Sequence, residues 1–212
     1  SEKTVLAQER AAENNIQCFD VSKNNSKWSH IAEIKSVPDW KCISPKQLSM
    51  MISNKNNGFG YPVLIQIPRL KQPIPLFIIF KALGIISDKE ICEKIVLNIE
   101  DNSVEPIMST LMASIVDANT IMTQDDAIDY VTKYVLYTPL NMDKITGDKK
   151  KREFAIEVLS NDIFPHCHSL TQKVYLLGYM TNRLISCKLG WEKSGNRDKY
   201  DNKRLDLVGC LL

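Results

Sequence analysis

The hydrophobic period of this chain changes once, near Pro73, and that change restricts the fold more than any motif does. Before it, short apolar runs alternate with turn-rich breaks, the pattern of strands. TVLA, NIQCFDV, HIAEIKS, QLSMMIS and YPVLIQIP are the candidates. In the last of these, Val63, Ile65 and Ile67 share one face at period two. The intervening NKNNGFG, with Asn and Gly suited to a turn, predicts a hairpin loop. After Pro73 the period becomes helical. IPLFIIFKALG has Pro75 at its start, where a missing N–H costs nothing, and Gly84 at its end. The run is apolar almost all round, so it predicts a central helix buried on every side with Ile79 in its middle. SDKEICEKIVLNI carries Ser87 and Glu90 in capping-box spacing, ahead of the stripe Ile91, Ile95 and Ile99. A helix over about Met108 to Val116 follows. TQDDAIDYVTKYV begins with Thr123 and Asp126 and aligns Ala127, Val131 and Val135. A further helix runs from about Lys151 to Ile163. The longest opens with Ser169 and Gln172, and its stripe is Leu170, Val174, Leu177, Thr181 and Leu184. The fold class is α+β: N-terminal antiparallel strands followed by a mainly helical part.

A chain of 212 residues can bury a substantial core. Its formal net charge of +2 gives no global basic field, so any contact with nucleic acid must come from local patches. Six cysteines are scattered with no C-x-x-C pair, which reads as free, reduced thiols in an intracellular setting. The most apolar stretch, PIPLFIIFKALGII, is too short to span a bilayer.

Chemistry-bearing clusters are few. His166-Cys167-His168 has metal-ligand residue types, but adjacent residues rarely converge on one tetrahedral ion, and a helix boundary is the simpler reading. Asp125, Asp126 and Asp129 fall in or near the first turn of a predicted helix, where acids complement the dipole. No G-x-x-x-x-G-K-[ST], G-x-G-x-x-G or G-x-S-x-G motif is present. No catalytic residue, metal ligand or cofactor of the chain itself is therefore expected. Two basic features remain. KKKR, Lys149 to Arg152, predicts a solvated loop. The stretch from Lys188 to Arg204 holds six basic residues against three acidic, with Trp191 and Tyr200 interleaved. That mix suits backbone contacts to nucleic acid and equally an exposed linker.

The segments SEKTVLAQER, HIAEIKS, PIPLFIIFKALGI, IFPH, LLGYMTNRLI and KRLDLVGCLL, taken in this order, resemble one family. It is the second-largest subunit of multisubunit DNA-directed RNA polymerases, of the eukaryotic and large-DNA-virus branch, and the resemblance covers the whole chain as its lobe domain. Gln8, Glu9 and Arg10 match the family's A-Q-E-R; Lys203, Arg204, Leu205 and Leu207 match its K-R-L-x-L. Lys199 stands where the family has His, Asp201 where it has Gly, and Gly195 and Asn196 where it has two acids. The resemblance implies a fragment, residues 1–212, whose segments 1–20 and 195–212 are roots leading to a neighbouring protrusion domain. The Met-less opening and the apolar finish at LVGCLL fit that expectation. It implies an architectural wall of the DNA cleft within a nucleotidyltransferase whose Mg²⁺ is bound by the largest subunit. It implies as partners the other polymerase subunits, DNA and initiation factors, and no membrane. The setting would be the nucleus, or host cytoplasm or virion for a viral member. Lys199, Lys203 and Arg204 are the candidate nucleic-acid contacts. The alternatives are a free-standing nucleic-acid-binding or protein-interaction module, and a small enzyme built on His166, His168 and the Asp cluster.

Overall fold

The computed structural model describes residues 14–38 and 44–191 with their side chains, and residues 7–11 and 203–207 as backbone. Strands and helices are numbered in chain order. Strand β1 (Ala7–Ala11) forms a two-stranded antiparallel ribbon with β7 (Lys203–Leu207). The other strands make a five-stranded antiparallel sheet in the spatial order β2 (Gln17–Asp20), β3 (Trp28–Ser36), β4 (Lys46–Ser53), β5 (Val63–Gln66) and β6 (Ile74–Pro75). Each strand neighbours the next in sequence, so every connection is local. Of the strand expected over TVLA, Thr4, Val5 and Leu6 lie outside the described residues, and Ala7 opens β1.

The register explains why this sheet forms. Cys18 sits across from Ala32, Ala32 from Met50, Met50 from Ile65, and Ile65 from Ile74. All five are buried in one apolar cluster. Slipping any strand by one residue would put its polar positions, such as Glu33, Ser49 or Gln66, into that row. The opposite face carries a shorter apolar row, Phe19, Ile31, Met51 and Leu64, also in register.

Six helices follow. Helix α1 (Leu76–Ala82) is buried at all seven positions, as its apolar circumference requires. Pro75 serves both neighbours: it ends β6 and precedes α1, where no N–H is needed. Gly84 follows α1 at φ +101°, a conformation that strains any residue with a Cβ. Helices α2 (Asp88–Val96), α4 (Gln124–Thr132) and α6 (Leu170–Lys188) start at Ser87, Thr123 and Ser169, each accepting from the backbone N–H three residues on. Helix α3 (Glu105–Asp117) has Pro106 in its first turn.

Helix α5 corrects the sequence reading. It spans Lys144–Asn161 rather than starting at Lys151, so KKKR lies inside a helix and not in a loop. Asp143 caps it, accepting from the Thr146 N–H. Of its first two turns only Gly147 is buried, against Pro139, so no apolar stripe announces them.

Helix α6 lies across β2, β3 and β4 and against α2. It approaches α2 very closely at Gly178, where an added Cβ would stand 2.1 Å from the Lys94 carbonyl oxygen. One turn on, the Asn182 amide donates to the Ile95 carbonyl at 2.9 Å. Two carbonyls at the C-terminal end of α2 thus meet α6 directly. Among the described residues no helix is long and apolar enough to cross a membrane.

Candidate functional site

The basic return segment is partly placed. Lys199 lies outside the described residues. Lys203 and Arg204 belong to β7, where Lys203 is registered with Ala11 and Arg204 with Arg10. The ribbon therefore joins the A-Q-E-R and K-R-L-x-L segments residue by residue. Successive strand positions belong to opposite faces, so positions 203 and 204 do not share one.

The Asp cluster and KKKR, separate in the sequence, come together. Arg152 pairs with Asp129 and, at 2.8 Å, with Asp125. The Asp126 backbone N–H donates to the Thr123 hydroxyl, which caps the helix. The two carboxylates tie α4 to α5 and are satisfied by a guanidinium. Beside them Lys133, Lys149 and Lys151 line an open cavity of about 460 Å³, with Asp129 and Asp148 on its wall.

His166 is fixed by a hydroxyl. Its Nδ1 meets the Ser36 Oγ at 2.5 Å, and the same Oγ accepts from the His166 backbone N–H at 3.1 Å. Its ring also meets Phe164 edge-on. The neighbouring Cys167 thiol is pushed up in pKa by burial. Among the described residues no group of three or more His, Cys, Asp and Glu side chains gathers as a metal site would. Cys92 and Cys167 are free thiols, and Cys18 and Cys187 lie buried in the apolar core; Cys42 and Cys210 lie outside the described residues.

Two buried ionic groups escaped the sequence reading. Asp162, only 1% exposed, accepts from the Arg69 Nε at 2.6 Å and lies 3.6 Å from the Lys46 ammonium. The same hydrogen bond raises the Arg69 pKa, and Glu157 adds to it. Arg69 itself sits at φ +66°, over the Phe154 ring. This pins the turn after β5 to the end of α5. The second is Lys81 in α1, whose ammonium donates to the Ala118 and Ile121 carbonyls at 3.0 and 2.8 Å. A lone lysine inside IPLFIIFKALG was the available signal for it.

At the sheet's end, His30 Nε2 lies 3.9 Å from Asp20 Oδ2. Burial pushes the imidazole pKa down, and Asp20 only partly offsets this. Lys188 sits over the Tyr61 ring at 4.6 Å, its pKa also lowered by burial.

Comparison with known proteins bears on all of these places at once. A family model described as RNA polymerase Rpb2, domain 2, matches residues 2–206. The whole chain is 34% identical to part of DNA-directed RNA polymerase II subunit RPB2 of Encephalitozoon cuniculi, covering 18% of that protein. It is 31% identical to DNA-directed RNA polymerase II subunit 2 of Arabidopsis thaliana, again covering 18%. It is 31% identical to DNA-directed RNA polymerase subunit Rpo2N of Methanococcus vannielii, covering 40%. The chain thus spans less than a fifth of the first two relatives, and all of it takes part in each match.

Proposed function

The chain belongs to the family described as RNA polymerase Rpb2, domain 2, and on that premise we propose that it is the lobe domain of a polymerase's second-largest subunit. The observation that carries this reading is the match over residues 2–206, a span that takes in the sheet and the helices alike. The role is architectural: one wall of the cleft that takes in DNA, within an assembly that transfers nucleotidyl groups from NTPs onto RNA under a DNA template. The Mg²⁺ for that chemistry would be held by the largest subunit. Partners are the other polymerase subunits, DNA and initiation factors. The setting is the nucleus for a cellular member and host cytoplasm or virion for a viral one. Residues 1–20 and 195–212 are proposed as the roots joining this domain to its neighbour, and the β1–β7 pairing supports a shared root.

Purifying the assembly through a tag on the full subunit tests this reading. Template-dependent, Mg²⁺-dependent RNA synthesis and a co-purifying largest subunit are expected. An assembly with neither would overturn it.

From the candidate set Lys199, Lys203 and Arg204, the proposed phosphate contacts on the incoming DNA are Lys199 and whichever of Lys203 and Arg204 lies on the face of the ribbon that meets it. The ribbon's geometry sharpens the test, because one straight DNA path meets only one face. Lys203→Ala and Arg204→Ala, made separately in the intact polymerase, should therefore differ. One should reduce the salt-dependence slope of DNA retention by about 0.9, and the other should leave it unchanged. Two unchanged slopes would remove both residues from the DNA path.

A further inference from the structure

A groove lined by four helices is used by nothing described so far. Its floor is Ala82 of α1 with Leu83 just after it, Ile128 of α4 and Leu159 of α5; Ile156, Leu170 and Lys173 stand at its rim. A smaller hollow shares Leu83 and Leu170 with it and continues past Val174 and Tyr175 to Lys94. The two hold about 370 and 120 Å³ and adjoin at those two shared residues. Their rims leave large apolar side chains open to water: Leu170 is 54%, Tyr175 47% and Ile156 42% exposed. Scattered apolar residues on a surface need no explanation, but three spread around two adjoining apolar hollows form a patch.

Charge selects what fits. The charged residues lining either hollow, among those described, are Lys94 and Lys173. Both are placed rather than free to swing. The Lys173 ammonium donates to the Ser160 carbonyl, and the Lys94 ammonium sits 4.7 Å from the centre of the Tyr175 ring. The first turn of α6, which opens at Leu170, adds no acidic side chain.

We propose that this groove seats an amphipathic, acidic helix of a partner protein, its apolar face in the two hollows and its carboxylates on Lys94 and Lys173. A helix repeats its side chains on one face every three to four residues, which suits two adjoining hollows. The inference concerns this chain's own surface and holds or fails independently of the polymerase reading. It was not legible in the sequence, because Leu83, Ile128, Leu159 and Leu170 come from four separate elements.

The probe is a fluorescein-labelled synthetic peptide of about 16 residues, with Leu and Phe at helical spacing on one face and Glu along its margins. Titrated with the 212-residue chain, it should show saturable binding in the micromolar range, weakening as salt rises. Leu170→Glu, at an exposed position, should remove binding while leaving the thermal melt unchanged. Lys94→Glu with Lys173→Glu should weaken binding about tenfold or more and let the chain accept a matched peptide bearing Lys instead of Glu. Lys94→Glu alone serves if the double variant does not fold. No saturation by about 1 mM peptide, or equal binding of the acidic and basic peptides, would overturn the proposal. So would a self-associated dimer, seen by sedimentation and dispersed by Leu170→Glu, because a second copy would then occupy the groove.

Discussion

Lys81 shows how one polar group is accommodated in an apolar helix. At 4% exposed it sits among Phe80, Ala82 and the rest of a fully buried segment. Its ammonium reaches the carbonyls that follow α3, and Asp88 Oδ1 lies 3.6 Å away. Lys81→Met keeps the stem and removes the donors, leaving those carbonyls without their partner. A loss of about 2–4 kcal/mol in a urea titration is expected; a change below about 0.5 kcal/mol would show that water replaces the ammonium there. His30 gives a pH-dependent counterpart. Its folded pKa lies below the 6.5 of an unperturbed histidine, so the unfolded chain binds the proton more readily. The associated stability is complete above pH 6.5 and falls as the pH drops through 6.5 towards the folded value. Asp20 raises that folded pKa. Asp20→Asn should lower it further in an NMR titration of the imidazole, and a rise would refute the assignment.

Elements were legible in proportion to their patterning. The spacings at Ser87, Thr123 and Ser169 located three helix starts, because a capping hydroxyl and an apolar stripe point to the same residue. Asp143 caps α5 just as well, but charged residues crowd the turns after it, so the start was read seven residues late. In β4 the run Met50, Met51, Ile52 broke the alternation, since Met51 joins the apolar row on the other face. The basic return segment was found by its composition and its motif, whereas Arg69 and Asp162 stand 93 residues apart in the chain and left no local mark. The α2–α6 contact was equally silent, and it depends on one missing methyl group. Gly178→Ala would drive a Cβ against the Lys94 carbonyl, which is backbone and cannot rotate aside. The helices must then separate, also lengthening the Asn182 bond to Ile95. A destabilisation of about 2–3 kcal/mol is expected by thermal or urea melts. An unchanged melting temperature would mean that α6 does not approach α2 this closely.

At the scale of the whole molecule, sheet and helices share a single apolar cluster running from Ile16 to Cys187. Ile79 is fully buried within it. Ile79→Asp places an unpaired carboxylate there, at several kcal/mol, against a total stability of about 5–15 kcal/mol for a typical domain. The variant should lose its cooperative melt, and a normal melt would move the core elsewhere. The arrangement of α6 over β2, β3 and β4 has a further consequence, one that concerns time. A ribosome finishes β4 at Ser53 but completes α6 only at Lys188. At roughly 5–20 residues per second, that interval is on the order of ten seconds. Throughout it the strands can pair, because their connections are local, yet Ala32, Ile34, Leu48 and Met50 await the helix that covers them. A chain stopped at Ser169 should therefore bind a dye for exposed apolar surface and be held by a chaperone, and the completed chain should do neither. Equal dye binding by both would refute this order of assembly. The domain is thus synthesised sheet first and sealed last, and the newborn polypeptide spends those seconds in need of a guardian.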